Sequence, residues 1–386
     1  MIGQIKTAVK NNIRQYTMII ALISIMIIFT ILTGGTFMTS RNLSNLFIQT
    51  SYIAILASGI VWVIVAGHID LSIGSVVGFT GAIAAILQVN FHMNTVFALF
   101  ITLLVGVLIG LWQGYWVAYR NVPAFIVTLA GMMVFKGTLL GVTNGATIAP
   151  LNPSFKAIGN GYIPNIGNTG IHLTTLLIGI AAIVIYNFVE IKKRNERVNY
   201  QFEVLSMPLQ IVKMSAVSIA IALFFSIMVM YKGMPWSIVI VIIVALIYSF
   251  ITYKTPFGRH VYAIGGNTEA AKLSGINIKQ RNLLIFVSMG VLGALGGAIY
   301  AARLNAASAQ AGNGLELEVI ASAIIGGTST LGGEGTIIGA IIGALVMATL
   351  NNGMSLMDVQ PTWQYIVKGM ILLLAVWVDI STRKGK

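Results

Sequence analysis

The 386-residue chain has no cysteine and little charge. Without cysteine it can form neither disulfide bonds nor thiolate metal sites. Only 9% of its residues are charged and 57% are hydrophobic, whereas about a quarter of the residues in a soluble domain are charged. A soluble core of this size needs more charge on its surface, so the composition indicates a membrane protein that crosses the bilayer many times.

Motifs of enzymes and of metal sites are also missing. The four histidines are scattered along the chain, and no His-Glu-x-x-His pattern places two of them on one helix face. There is neither a Gly-x-Ser-x-Gly elbow nor a glycine loop followed by Gly-Lys-Ser or Gly-Lys-Thr. The sequence therefore predicts no enzymatic activity, no metal site and no cofactor in this chain. Any ATP that drives it must be bound by a partner.

Apolar stretches of about 20 residues recur along the chain, and this is the length with which an α-helix crosses the hydrocarbon core. They predict an all-α polytopic membrane protein with about 10 to 12 transmembrane helices, some of them broken or half-length. The clear helices are predicted near 16–33, 51–67, 72–89, 94–119, 123–143, 171–189, 214–231, 236–253, 283–301 and 364–380. A polar outer loop is predicted at 144–170. Residues 1–386 are treated as one transmembrane domain.

Basic residues distinguish the two sides of the membrane. Most of the 23 Lys and Arg residues fall at the termini and in alternate segments, of which 190–213 and 254–282 are the largest. Lysine and arginine are enriched in cytoplasmic loops, so both termini and these two segments are predicted to be cytoplasmic. The terminal residues that contribute are Lys6, Lys10, Arg14, Arg383, Lys384 and Lys386. The net charge of +13 then reflects membrane orientation rather than binding to nucleic acid.

A polar stretch at 67–75 separates two apolar runs and contains Asp70. A carboxylate is costly in lipid, so it normally faces a partner, a cavity or water. The stretch is therefore either a short solvated turn or part of a polar route through the protein. It lies near the predicted cytoplasmic end of helix 51–67. We therefore expect water to reach Asp70, which either caps the next helix or pairs with a basic residue.

A second interruption lies within 319–350, which glycines break at 326–327 and 332–335. We predict two short helices joined by a glycine turn. Interrupted helices at comparable places in two halves of a chain indicate inverted repeats with a transport path between them, although small residues also permit close helix packing. The candidates for the pathway or the helix breaks are Asp70, Ser72, Gly74, Gly326, Gly327, Thr328, Ser329, Gly332 and Gly333.

The charged segment 254–282 contains a short helical pattern. Asn267 or the threonine after it can cap the start of this helix, and Gly275 suits the position after its end. The exposed alanines and Leu273 suit docking into a groove on another protein. The alternative is a helix that lies on the lipid surface, but the run is short and weakly apolar for that role.

Several runs in this segment resemble the cytoplasmic coupling loop of bacterial ATP-binding-cassette (ABC) importer permeases for monosaccharides. They are Thr255-Pro256-Phe257-Gly258-Arg259, Ala263-Ile264-Gly265-Gly266-Asn267, Glu269-Ala270-Ala271 and Leu273-Ser274-Gly275-Ile276. The run from Gly67 to Ser75 resembles the Gly-Ile-Asp-Leu-Ser signature of the same family. Within the family the chain is most similar to xylose-type permeases. The runs that carry this similarity include Asn121-Val122-Pro123, Asn352-Gly353-Met354-Ser355 and Met357-Asp358-Val359.

The resemblance implies the membrane-spanning subunit of an importer for a monosaccharide, with D-xylose first and ribose, galactose and arabinose as alternatives. It also implies a homodimeric channel in the bacterial inner membrane that works by alternating access. A periplasmic or extracellular sugar-binding protein and a separate ATPase, which binds ATP and Mg, would complete the importer. The residues implied in coupling to the ATPase are Gly265, Gly266, Asn267, Glu269, Ala270, Ala271, Leu273 and Gly275. No substrate-binding residue is assigned.

Interpretations from other classes remain open. A proton-coupled secondary transporter would use Asp70 as its relay, and an intramembrane enzyme would need a second catalytic group beside it. Tryptophans can stack on sugar, but interfacial anchoring or lipid-facing packing is expected for each of Trp62, Trp112 and Trp116. His68 and Glu334 depart from the family's usual pattern, and neither is assigned a role.

Overall fold

The computed structural model describes residues 13–167 and 170–383. These residues form 15 α-helices and no β-strand, which confirms the predicted all-α class. The basic residues Lys6, Lys10, Lys384 and Lys386, on which part of the orientation prediction rests, lie outside the described residues. In chain order the helices are α1 (Ile13–Leu32), α2 (Ser40–Val65), α3 (Ile73–Val89), α4 (Thr95–Ala118), α5 (Ala124–Thr143), α6 (Pro153–Asn160), α7 (Leu173–Asn199), α8 (Met207–Val229), α9 (Trp236–Lys254), α10 (Pro256–Gly266), α11 (Thr268–Leu273), α12 (Ile278–Leu304), α13 (Leu315–Ile325), α14 (Ile337–Leu356) and α15 (Pro361–Arg383).

Most of these helices are long enough to cross a membrane. Within the described residues, 9 helices combine sufficient length with sufficient hydropathy, namely α2, α4, α5, α7, α8, α9, α12, α14 and α15. Shorter apolar helices occur at Thr17–Leu32 within α1 and at Ile73–Val89, which is α3. Helix α13 has only 11 residues and is half-length. The prediction of a half-length helix is confirmed for α13, but α14, which was predicted to be short, has 20 residues and is long enough to span the membrane.

Helix α2 begins at Ser40, well before the predicted start at residue 51, so Arg41 lies in its first turn rather than in a loop. The early turns are polar, but they are buried in protein. The side-chain amides of Asn42 and Asn352 exchange two hydrogen bonds of 2.9 and 3.1 Å, which joins the start of α2 to the end of α14. Hydropathy underestimates a helix whose polar side chains are satisfied by another helix.

Three predicted loops contain more helix than expected. The charged segment 190–213 is mostly the end of α7 and the start of α8, which leaves a short connection at 200–206. Helix α6 lies inside the predicted outer loop, and α10 precedes α11 in the other charged segment. Pro153 and Pro256 lie in the first turns of α6 and α10, where a proline costs no helix hydrogen bond. Both prolines therefore mark helix starts.

The core is an inverted repeat of two four-helix units, α2–α5 and α12–α15. Each unit begins with a long helix of 26 or 27 residues, continues through a non-helical segment and resumes as a shorter helix. Helix α12 packs on α3 and α4, as α2 packs on α13 and α14. The non-helical segments that correspond are 66–72 and 305–314. The sequence instead compared 67–75 with 326–335, so the repeat was predicted but its register was wrong.

The helices differ in how much protein covers them. Helix α2 is central, with 94% of its apolar window buried, whereas the apolar window of α15 has no buried residue. Helices α7 and α8 pack mainly on each other at the edge of the bundle. We call the end of the bundle at which α2 stops and α10 and α11 lie the α11 face. The end at which α2 starts is the opposite face.

Candidate functional site

Asp70 lies between α2 and α3 and is buried, with 2% of its surface exposed. Its carboxylate accepts hydrogen bonds from the backbone N–H of Ser72 at 2.8 Å and from the Ser72 hydroxyl at 2.6 Å. The Ser72 hydroxyl in turn accepts a bond of 2.7 Å from the side-chain amide of Gln113 on α4. The expectation that water reaches Asp70 is wrong, because the segment folds back into the protein. Both bonds come from Ser72, the residue before α3, and none comes from an N–H in the first turn of α3, so Asp70 closes a local turn before the helix and the predicted capping role is wrong.

The two corresponding non-helical segments meet between the repeats. A methyl group on Gly74 would overlap the carbonyl oxygen of Gly312, and one on Gly312 would overlap the carbonyl oxygen of Gly74. Gly78, one turn further along α3, packs in the same way on the carbonyl of Ala311. Gly312 also has a φ of +77°, which favours glycine. The first turns of α3 therefore lie in backbone contact with residues 311–312, near the start of α13.

The glycine turn that joins α13 and α14 lies at the α11 face and contacts two other elements. The N–H of Gly333 donates a bond of 2.8 Å to the carbonyl of Val65, the last residue of α2. Tyr262 of α10 donates a bond of 2.5 Å to the carbonyl of Gly335. Gly265 of α10 lies so close to the Val65 carbonyl that a methyl group there would overlap it. We call this meeting of α2, α10 and the glycine turn the junction.

Trp62, one turn before the end of α2, extends the junction to α9. Its indole N–H donates a bond of 2.8 Å to the hydroxyl of Thr252. Its ring stacks on Tyr248 at 4.4 Å and meets the edge of Phe257 at 5.0 Å between centroids. Trp62 is 3% exposed, so it is a packing residue and neither an interfacial anchor nor a sugar platform. Trp112 and Trp116 are partly exposed on α4.

Helix α11 follows α10 and is the short helix predicted in the charged segment. The side chain of Asn267 accepts a bond of 2.9 Å from the N–H of Ala270, and Gly275 has a φ of +81°, so the predicted cap and stop are both confirmed. Leu273 is 88% exposed. Ala271 is 4% exposed, so the expectation that the alanines of this helix are exposed is wrong for this residue.

The remaining sequence candidates are packing positions. Ser72, Thr328 and Ser329 are completely buried. Gly326 packs on the backbone of Gly339 in α14, and Gly332 packs on Gly265. Gly327 has a φ of +87° at the end of α13, as the predicted helix break requires. Together with the residues described above, they mark helix breaks. The structure gives none of these residues an open position along a path.

The two residues that depart from the family pattern lie at the α11 face. The ring of His68 is 5.8 Å from that of Phe286 on α12, and its Nε2 atom is buried without a hydrogen-bond partner among the residues that the structure describes. The side chain of Glu334 is exposed on the glycine turn, and its backbone carbonyl accepts a bond of 2.8 Å from the N–H of Ser329. Both residues therefore belong to the surroundings of the junction.

Four ionisable side chains lie together within the membrane-spanning part of the bundle, and we call them the charged cluster. Lys368 of α15 forms an ion pair of 2.5 Å with Glu318 of α13. On the other side of α13, Lys136 of α5 lies 3.4 Å from the side-chain oxygen of Asn313 and shares a cavity of about 160 Å³ with Glu316. The negative charges lie in the first turn of α13, where the helix dipole favours them.

The charged cluster lies at one depth. Helix α5 starts at the α11 face, and Lys136 lies about 18 Å along it at 1.5 Å per residue. Helix α15 starts at the opposite face, and Lys368 lies about 10 Å along it. In a hydrocarbon core of about 30 Å, both lysines therefore lie inside the membrane and close to one level. The sequence placed Lys136 and Lys368 in helices but drew no site from them. Charge within a predicted span was the available signal.

These features together define a class of protein. Within the described residues no group of three or more His, Cys, Asp or Glu side chains is arranged to hold a metal ion. Two inverted repeats with non-helical segments between them and ionisable groups within the membrane-spanning part are features of membrane transporters. The chain belongs to the family described as "Branched-chain amino acid transport system / permease component", whose model matches residues 42–376.

Curated relatives with full-length similarity are named as sugar permeases. The "Xylose transport system permease protein XylH" of Haemophilus influenzae is 44% identical over 97% of this chain and 98% of that protein. The protein of the same name from Escherichia coli K12 is 43% identical over 97% of this chain and 93% of its own length. The "Ribose import permease protein RbsC" of Escherichia coli K12 is 34% identical over 95% of this chain and 93% of its own length. A comparison with solved structures found no match.

Proposed function

We propose that this chain is the membrane-spanning subunit of an ABC importer for a monosaccharide, and that the sugar is D-xylose. The support is the gradient of similarity among its relatives. Those named for xylose are 43–44% identical over nearly the whole chain, and those named for ribose are 33–34% identical. Permeases of this kind provide the path, so a separate ATPase supplies the energy and a separate sugar-binding protein delivers the substrate.

The sugar path runs along the face formed by α5, α13 and α15, and a second copy of the chain forms its other wall. The charged cluster is the observation that carries this proposal. Charged side chains within a membrane face a cavity, a partner or water rather than lipid. Lys136 is exposed on this face, and a charged side chain there requires a cover other than lipid. The apolar window of α15 has no buried residue, so its surface is available to a second copy of the chain. Gly137 and Gly141 of α5 leave open space there, as close helix pairing requires.

The ATPase docks on α11, which makes the α11 face cytoplasmic and leaves the opposite face to the sugar-binding protein. Leu273 and Ala270 are exposed for this contact, whereas Ala271 anchors the helix from beneath. Movement of α11 is passed through Gly265 to Val65 and so to the non-helical segment that contains Asp70. From there it reaches the start of α13 and the charged cluster. The backbone contacts of Gly265 and of Gly74 support this relay, because backbones in direct contact cannot move independently of each other.

Reconstitution tests this function. The chain is placed in liposomes with its ATPase and binding protein, and uptake of radiolabelled D-xylose is measured. We expect uptake only when ATP and both partners are present, and weak competition by excess D-ribose. Uptake by the chain alone, driven by a pH gradient, would show a secondary transporter instead. Uptake is also compared for ribose and xylose, each supplied with the binding protein for that sugar. Faster uptake of ribose would refute D-xylose as the substrate.

A further inference from the structure

A second cavity beside the charged cluster has the chemistry of a sugar site. It lies between α2, α12, α13, α14 and α15, in the half of the bundle nearer the opposite face, and has a volume of about 200 Å³. Its polar lining consists of three side-chain amides and three charged groups, which are Gln49, Asn351, Gln364, Arg303, Glu318 and Lys368. Tyr52 adds an aromatic ring. We propose that this cavity binds the sugar during its passage.

One lining atom points directly to a ligand. The side-chain oxygen of Asn351 is buried and has no hydrogen-bond partner within the described part of the chain. A buried acceptor without a partner costs about 1–3 kcal/mol. A hydroxyl group in the cavity would satisfy it. Gln364, by contrast, already donates to the carbonyl of Val359 at 2.9 Å, so its amide nitrogen is partly committed to the turn before α15.

The lining suits a molecule with several hydroxyl groups, to which Arg303 offers further donors. Each sugar hydroxyl both donates and accepts, and a side-chain amide offers both functions within one group. Glu318 and Lys368 neutralise each other at 2.5 Å, so the pair offers a hydrogen-bond acceptor and donors without strong attraction for an ion. An apolar ligand would leave these groups without partners, which makes its binding unfavourable.

The position of the cavity suits a transient site. It borders α13, whose first turn carries the two glutamates of the charged cluster. It also borders α15, whose apolar window has no residue buried by the rest of a single chain. Because the cavity lies in the half of the bundle nearer the opposite face, a sugar released there would reach it early in its passage. This inference rests on the proposed function, because it assigns the proposed substrate to a place in the path.

A single introduced cysteine tests occupancy, since the native chain has none. Ser355→Cys places the thiol at an exposed position in the cavity lining. The full chain is placed in nanodiscs and labelled with a small methanethiosulfonate reagent, with and without excess D-xylose. We expect xylose to slow labelling several-fold. It should not slow labelling of Ser154→Cys, an exposed position on α6.

Lining variants in the Ser355→Cys background then test the assigned contacts. We expect Asn351→Ala, and separately Glu318→Gln combined with Lys368→Met, to abolish protection by xylose. Asn187→Ala removes an amide that bonds Ser218 between α7 and α8, so it serves as a matched control and should keep protection. An unchanged labelling rate without sugar shows that each variant is folded.

Three outcomes would overturn the inference. They are no protection by xylose, protection that persists in both lining variants, and protection by inorganic phosphate but not by xylose. Uptake by liposomes that hold the wild-type importer is measured in parallel. Normal uptake without protection would reject the cavity alone, whereas absence of any pentose uptake would reject the proposed function.

Discussion

Gly265 and Gly266 are neighbours in sequence but occupy opposite environments. A methyl group on Gly265 would overlap the carbonyl of Val65 and approach the N–H of Gly333 to 2.7 Å, whereas one on Gly266 would meet nothing within 4 Å. The sequence assigned both glycines to the same role because the motif Gly-Gly does not distinguish them. The difference arises from α2 and the glycine turn, which are remote in sequence.

We predict that Gly265→Ala abolishes uptake in the reconstituted importer, while Gly266→Ala keeps it near the wild-type level. The alanine at 265 must push α10 away from the end of α2, and backbone atoms there cannot rotate aside. Initial uptake rates are compared with the amount of assembled complex. Wild-type uptake by Gly265→Ala would show that the junction does not transmit movement.

Asp70 was recognised from sequence, but its burial was not. The costs of burial are offset by its two hydrogen bonds to Ser72 and by the link from Ser72 to Gln113. Ser72 is a local partner, but Gln113 lies on α4 and is remote in sequence, so the sequence does not reveal that link. The sequence limited the options to capping or pairing with a basic residue, whereas the structure shows a local turn closed by Ser72.

Asp70→Ala should destabilise the protein more than Asp70→Asn. Alanine leaves buried donors without an acceptor, at about 1–3 kcal/mol for each group, whereas asparagine retains one acceptor oxygen. Melting temperatures in detergent measure the effect. Glu203→Ala also removes one negative charge, but from an exposed side chain, so it should leave the melting temperature unchanged. Equal stability of Asp70→Ala and the wild type would contradict the anchoring role.

At the scale of elements, helix α11 was predicted best. Its cap, its stop and its length follow from a few adjacent residues, and all are confirmed. Helix α10 and the long end of α7 were missed because polar helices on a membrane face carry no hydropathy signal. The segment 305–314 was also missed. Its alanines, glycines and amides are neither apolar enough for a span nor charged enough for a loop.

Leu273→Asp should abolish co-purification of the ATPase without changing the stability of the chain. Leu273 is 88% exposed, so a charge there does not disturb packing within the chain. It would disturb the contact with the ATPase, because docking would bury this side chain. Phe202→Asp, at a 62% exposed position in the α7–α8 connection, serves as the control and should retain the ATPase. The two variants are compared by affinity purification and thermal melting. An intact complex with Leu273→Asp would refute docking on α11.

At the scale of the whole molecule, the sequence correctly predicted the membrane class and the inverted repeat. The register of the repeat could not be read because the corresponding segments 66–72 and 305–314 share no motif. The charged cluster is likewise a product of tertiary structure. Its members come from three helices, and only packing brings the two lysines next to the glutamates of α13.

The proposed dimer can be tested by cross-linking. Gly137→Cys places a single thiol on the open side of α5, where no other atom lies within 4 Å of the added carbon. We expect an oxidant to give a disulfide-linked dimer of the chain in membranes. Val184 of α7 is 61% exposed, and the Val184→Cys variant should remain monomeric under the same conditions. Cross-linking through α7 but not α5 would show that the second copy covers a different face.

The contact between Gly74 and Gly312 also sets a delay during biosynthesis. About 240 residues separate the two glycines, so at about 5–20 residues per second roughly 12 to 48 s pass between their synthesis. During this time α3 is already made, but the backbone that covers its glycine side does not yet exist. A chain interrupted before α12 therefore exposes an unfinished surface in the bilayer. We expect such fragments to be held by insertion factors or degraded, rather than to accumulate as stable half-transporters.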